Sequence, residues 1–209
     1  MNGSTGGEIK NVSMTEYQQR YLAHQQFGKK DQLIAIMKER HSQRQFDTKE
    51  IPEEVVQEIL SSCRYAMSSC DRFGVRILVT DDRDDKAILN GLLVGSVGWI
   101  YRAKVVLLLM ADPRAYQAND EIGFMPYLDA GILIEHISLL STSMGLRSAY
   151  SNPNIRPNNV AHFKQLFMPE GWSDVIFCGA IALGWPHQDE IHHERNLLEK
   201  ITVNRGGII

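Results

Sequence analysis

Cysteine is scarce in this chain: three residues, Cys63, Cys70 and Cys178, in a length of 209. The number is odd, and the spacing contains neither a C-x-x-C pair nor a disulfide framework, so a reducing compartment fits. Long apolar runs are lacking as well. The longest, residues 105–111 and 176–183, fall far short of the roughly 20 residues that cross a bilayer. No membrane span is expected. Nor is there an excess of positive charge: 22 Lys and Arg stand against 25 Asp and Glu, a net charge of −3. A dedicated nucleic-acid binder carries a basic surplus, so any anion this chain recognises must be met by a local site. The polar first 30 residues lack the apolar middle of a signal peptide, and a cytoplasmic protein is expected.

Several catalytic signatures are missing too. There is no Ser-His-Asp order and no phosphate-binding G-x-x-x-x-G-K. His187, His192 and His193 lie among Asp189, Glu190 and Glu194, but their spacing matches no H-E-x-x-H or related pattern, which favours a solvated loop over a metal site. Cys178 follows Ile176 and Phe177 and reads as a small core residue. Cys70 has no neighbouring histidine to make it a nucleophile.

What is present is enough apolar material, 44% of residues, to bury a real core in one domain with an appendage. Residues 1–29 are expected to form a partly flexible N-terminal arm and residues 30–209 the folded domain. A helix is predicted from Asp31 to about His41 on the spacing of Leu33, Ile34, Ile36 and Met37. A second opens at Ile51-Pro52-Glu53-Glu54, with proline and two acids suited to a helix start. VRILVT reads as a strand, DDRDDKAILNGLLVG as a charged turn into a helix, and residues 103–111 as a strand covered on both faces. Residues 127–144 read as a long, nearly all-buried helix capped by Gly145. A short strand near 147–150, the loop SNPNIRPNN, a helical piece at 161–167 and the strand DVIFCGAIALG complete the chain. Few strands among several helices make this α+β, with a small sheet beneath helices.

The chemistry concentrates at KERHSQRQF, residues 38–46, which straddles the predicted helix end and the extended chain that follows, and where Lys38, Arg40, His41 and Arg44 stand close together. Two readings are open. Arg40 and Arg44 lie four apart and could share a solvated helix face, or they could be charge-assisted donors to an anion.

The order of motifs bears on that choice. A helix is followed by R-H-S-x-R-x-F, a Pro-Glu-led helix, Ser-Ser before a strand, a long helix ending M-G-L, a strand ending A-L-G-W-P and a late arginine. Over residues 30–201 this resembles the nitroreductase family of FMN-dependent oxidoreductases. The resemblance implies an α+β nitroreductase-like fold, its small, antiparallel-rich central sheet surrounded by helices, in an intertwined homodimer with FMN at the subunit interface. It also implies NADH or NADPH as reductant and an electron-poor small-molecule acceptor such as a nitroaromatic or quinone, reduced by a ping-pong mechanism. Nucleic acid and membrane are not expected partners, and no metal is expected.

Carried over residue by residue, the resemblance puts Arg40, His41, Ser42 and Arg44 around the phosphate, ribityl chain and pyrimidine edge of FMN, with Arg195 as a second phosphate ligand. Ser68, Ser69 and Asp71 correspond to a segment lying along the flavin ring of the opposite subunit. The family's continuation N-x-Q-P-W is here Asp71-Arg72-Phe73-Gly74-Val75, so the acceptor pocket differs. Without the resemblance, Ser68 to Asp71 is an ordinary helix-to-strand loop. Tyr150, Ser151 and Asn152 stand where the deiodinase and dehalogenase branch approaches flavin N5. There Ser151 would be the N5 donor, a hydroxyl thought to favour one-electron steps. The alternative is a proline-containing turn capped by Ser151. Gly91, Gly95 and Gly98 beside Trp99 fit either flavin proximity or helix packing, with packing favoured. Specialised flavin chemistry such as reductive dehalogenation, and a non-catalytic flavin-binding protein, remain the alternatives to a nitro- or quinone reductase.

Overall fold

The computed structural model describes residues 28–116, 121–168, 170–172 and 174–187. The chain divides into two compact units, Met1–Arg40 and His41–Ile209. Of the first, the described part is helix α1 (Lys29–Glu39), which has no buried residue and ends where Arg40 turns extended at φ −62°, ψ 120°. The helix therefore stops short of His41. Arg195, His192, His193 and most of the N-terminal arm lie outside the described residues.

The second unit runs α2 (Glu53–Ser62), β1 (Val75–Thr80), α3 (Arg83–Leu92), β2 (Val105–Ala111), α4 (Met125–Ser143), β3 (Arg147–Ser151), α5 (Val160–Phe167) and β4 (Ile176–Gly184). The four strands form one sheet in the order β1-β2-β4-β3, every pair antiparallel. All seven residues of β2 are buried, as its unbroken apolar run requires once helices cover both faces. On one face Val106, Leu108, Ala149 and Ala182 pack with Leu89 of α3 and Phe163 of α5. On the other, Leu107, Leu109 and Ile181 pack with Ile59 of α2 and Ile137 of α4. We call these the α3/α5 and α2/α4 faces.

Local chemistry explains the element boundaries. Asp82 caps α3 by accepting from the N–H groups of Asp84 at 2.8 Å and Asp85 at 2.9 Å, as the DDRDD turn predicts. Gly145, at φ +80°, follows the C-cap of α4. Between Leu109 and Met110 the β2–β4 register shifts, with Gly179 and Phe177 as the flanking partners, so Cys178 is the extra residue of a bulge.

Within one chain, helix α4 is covered on one side only. It is apolar nearly all round, yet Leu128 is 56% and Tyr127 44% exposed, while Asp129, Ser138, Ser141 and Thr142 are buried. One sheet can cover only one side of a helix. The inward side mixes Ala130 and Ile137 with small hydroxyl residues: Ser138, Ser141 and Thr142 donate to the carbonyls of Ile134, Ile137 and Ser138 at 2.7–2.8 Å, which satisfies them within the helix.

Candidate cofactor site on the edge strand

The basic motif is not a helix face. Ser42 pairs in parallel with Ser148 of β3, and the Gln43 N–H donates to the Ser148 carbonyl at 3.0 Å. Further along, the Asp47 N–H donates to Trp185 O at 3.0 Å and Phe46 bridges to Pro186. Residues 42–46 thus run as an extended strip bonded at one end to β3 and at the other to the chain just after β4. The strip is seated by Phe46, whose ring occupies the space a Cβ on Gly184 would take, 2.5 Å away. That geometry exposes Ser42 and Arg44 and half-buries His41. The reading of Arg40 and Arg44 on a shared helix face is therefore overturned: a strip bonded to β3 cannot continue α1.

Arg44 lies over the Trp99 ring with its guanidinium 5.6 Å from the centroid, within cation–π range. Trp99 belongs to the turn after α3. Its indole N–H donates to Gly95 O at 3.0 Å, and the Val94 N–H donates to Asn154 O at 3.0 Å. A Cβ on Gly95 would lie 3.3 Å from the Ser151 hydroxyl and 3.4 Å from Asn152 Oδ1. Gly95 is a close-approach glycine, whereas a Cβ on Gly91 or Gly98 would meet nothing within 4 Å. Packing accounts for the first only. Arg44, Trp99, Gly95, Ser151 and Asn152 thereby form one continuous strip.

Ser151 ends β3. It is 1% exposed, and its hydroxyl makes no hydrogen bond. It does not cap the proline turn: Asn152 does, with Oδ1 accepting from the Asn154 N–H at 3.1 Å. Tyr150 points to the other face, because successive strand residues alternate. Ser151 pairs with Ala180 and Tyr150 with Ile181, and those partners belong to the α3/α5 and α2/α4 faces respectively. The Tyr150 ring lies over Gly179 and its hydroxyl donates to Cys178 O at 3.3 Å. Burial, then the neighbouring Cys178 and Tyr127, push its phenol above the usual range.

The Ser68 to Phe73 turn belongs with the α2/α4 face. Cys70, Asp71 and Phe73 have φ of +50°, +57° and +49°, a left-handed conformation that disfavours side chains by about 1–2 kcal/mol each. Aspartate tolerates it best of the three. The Phe73 N–H donates to the Ser68 hydroxyl at 3.0 Å. Ser69 directs both its N–H (3.0 Å) and its hydroxyl (2.7 Å) to Asp129 Oδ1 of α4, while the Tyr116 hydroxyl donates to Oδ2 at 3.1 Å. Burial first, and Asp129 second, hold the Tyr116 phenol well above its ordinary range, so it remains a donor. Asp129 and Tyr116 did not emerge from motif reasoning. The available signal was a lone carboxylate in the otherwise apolar start of a long helix.

Of the cysteines, Cys178 is buried, as expected, and burial pushes its thiol up to about 12. Cys70 is exposed on the left-handed turn. Among the described residues no group of His, Cys, Asp and Glu could hold a metal ion, and no helix is long and apolar enough to cross a membrane.

A family model described as "Putative TM nitroreductase" matches residues 32–207. Among solved structures, the fold is similar to a "Putative NADH dehydrogenase/NAD(P)H nitroreductase" from Parabacteroides distasonis ATCC 8503, with TM-score 0.70 and 18% identity over 84% of this chain and 99% of that one. It is similar to an FMN-dependent nitroreductase from Clostridium difficile R20291, with TM-score 0.67 and 21% identity over 83% and 99% of the two chains. A nitroreductase with bound FMN from Desulfitobacterium hafniense DCB-2 gives TM-score 0.65 and 21% identity over 83% and 98%. No curated protein matches the chain. The structural likenesses establish the α+β fold, and the family match covers most of the length: the chain belongs to the nitroreductase family.

Proposed function

We propose that this protein is an FMN-dependent oxidoreductase that takes electrons from NADH or NADPH and passes them to an electron-poor small molecule, such as a nitroaromatic or a quinone, by a ping-pong cycle in one pocket. Bound FMN would supply the redox chemistry; the chain supplies binding, orientation and exclusion of water. The observation that carries the reading is the Ser151 hydroxyl, buried and without a hydrogen-bond partner. Such a group is costly in a native fold and fits a ligand that completes it. Ser151 stands three residues along β3 from Ser148, where the basic strip attaches. That is about 10 Å of strand, a span suited to a polyol phosphate lying along the edge. In this arrangement His41, Ser42 and Arg44 serve the phosphate and ribityl oxygens, and Ser151 with Asn152 faces the ring.

Ser68, Ser69 and Asp71 lie with the α2/α4 face, whereas Ser151 lies with the α3/α5 face. A flavin touched by both sets draws them from two chains, so the reading includes a homodimer with FMN at its interface. Tyr65 and Met67, 72% and 75% exposed, and the outward side of α4 offer apolar surface for such an interface. Light scattering during size exclusion is expected to give a dimer; a flavin-loaded monomer would overturn the shared site.

The function itself is tested on the purified protein. FMN is expected to copurify, to be bleached by NADH or NADPH without oxygen, and to recover colour on addition of a nitroaromatic or quinone, with parallel double-reciprocal lines. Failure to bind FMN overturns the proposal. Reductive dehalogenation is the second reading, favoured by the Ser151 hydroxyl, and a halogenated phenol in the same panel tests it. FMN that binds and resists both nicotinamides would mark a non-catalytic flavin protein.

A further inference from the structure

We infer that Asp129 is a positioning residue whose buried carboxylate clamps the Ser68 to Phe73 turn in the shape that meets the flavin. The role at the flavin rests on the proposed function; the clamp itself stands on the hydrogen bonds.

A turn with three left-handed non-glycine residues in four positions persists only where its surroundings over-determine it. Asp129 is 2% exposed and meets the turn at Ser69, the residue just before the first left-handed one. One carboxylate oxygen takes both Ser69 donors. The other takes the Tyr116 hydroxyl, which burial keeps protonated. An acceptor-only group is what three converging donors require. The opposite end of the turn meets the same tyrosine, since a Cβ on Gly74 would lie 2.9 Å from the Tyr116 hydroxyl oxygen. Asp129 and Tyr116 therefore grip the turn at both ends.

The space behind the turn explains why a clamp matters. A cavity of about 170 Å³ lies there, lined by Cys63, Met67, Ser68, Phe73, Asp129 and Leu133 among others. A turn released from Asp129 can relax its left-handed residues by moving into that space. Packing alone does not prevent this, because Met67 is 75% and Phe73 40% exposed. The Asp71 and Phe73 departures from the family's motif sit on this turn, so its position decides what they meet.

The test uses the full chain in two measurements. Amide exchange of residues 69–73 is followed without FMN, and FMN affinity is measured by fluorescence titration. Asp129→Ala is expected to accelerate exchange in the turn by about tenfold or more, since it removes hydrogen bonds to a charged acceptor, and to weaken FMN by about tenfold. Asp129→Asn keeps an oxygen for Ser69 but loses the charge and turns a donor toward Tyr116, so it is expected to fall between wild type and Asp129→Ala in both. Tyr116→Phe, which keeps the core filled, gives an intermediate acceleration and serves if the alanine variant does not fold. Unchanged exchange in Asp129→Ala, or in Tyr116→Phe if the alanine variant does not fold, overturns the clamp. Faster exchange with unchanged FMN affinity overturns the positioning role, because a merely structural group lowers melting temperature and leaves affinity alone. Wild-type protein that binds no FMN overturns the proposed function and the role at the flavin, while the exchange data still judge the clamp.

Discussion

If the proposed FMN site is right, Arg44→Ala is expected to weaken FMN binding by roughly 10- to 100-fold, the loss that follows when a charge-assisted contact on the order of 1.5–3 kcal/mol disappears. The residue is exposed on a strip hydrogen-bonded to β3 and rests on Trp99. Its fold-stabilising part is therefore small, within about 0.5–1 kcal/mol for a solvated cation–π contact. That separation makes the experiment informative: melting temperature of the flavin-free protein hardly moves, and flavin affinity falls. Arg44→Lys keeps the charge, loses the planar fork that matches phosphate oxygens, and is expected to fall between the two. Titration of flavin-free protein by fluorescence quenching reads all three. Equal affinity in wild type and Arg44→Ala would remove Arg44 from the phosphate site.

Gly179→Ala is expected to be the most damaging single methyl in the sheet. Gly179 holds φ +123° beside the β4 bulge, a conformation that L side chains rarely adopt, and its Cβ would lie 2.6 Å from the Tyr150 ring and 2.8 Å from the Ser151 carbonyl oxygen. A ring can swing aside, but the backbone of a paired strand cannot. Backbone strain and overpacking together cost roughly 2–5 kcal/mol. Displacement of β3 would also move Ser151, so under the proposed function flavin affinity is expected to fall along with stability. Gly98→Ala is the control: it shares a positive φ, +88°, but its Cβ meets open space, and about 1 kcal/mol is expected. Urea denaturation compares the two. A Gly179→Ala loss no larger than that of Gly98→Ala would show that the bulge has room to adjust.

Much of the secondary structure was legible because its signals are local. Asp82 ahead of α3, Gly145 after α4 and the apolar run of β2 act within a few residues, and their elements appear where the pattern puts them. The order of motifs also identified the family, since it survives without any knowledge of contacts. Helix α4 shows the limit. Its apolar periphery was read as burial, part of it against a second subunit; within one chain exposure is settled by how many surfaces reach a helix, and Leu128 stays outside while Ser141 goes in.

The candidate site divides the same way. The sequence by itself determined the family and showed that Ser68 to Phe73 departs from the family's usual motif, and it made R-H-S-x-R-x-F the candidate for a local anion site, because charge count and motif order are properties of the chain. The tertiary structure alone decided that the extended part of this run attaches to β3, since the bond partner Ser148 lies about a hundred residues away. It also decided which face of the sheet Tyr150 and Ser151 each serve, through pairing with β4. Only the fold brings Ser69, Tyr116 and Asp129 together, for hydrogen bonds between groups 13 and 60 residues apart leave no periodic trace in a sequence.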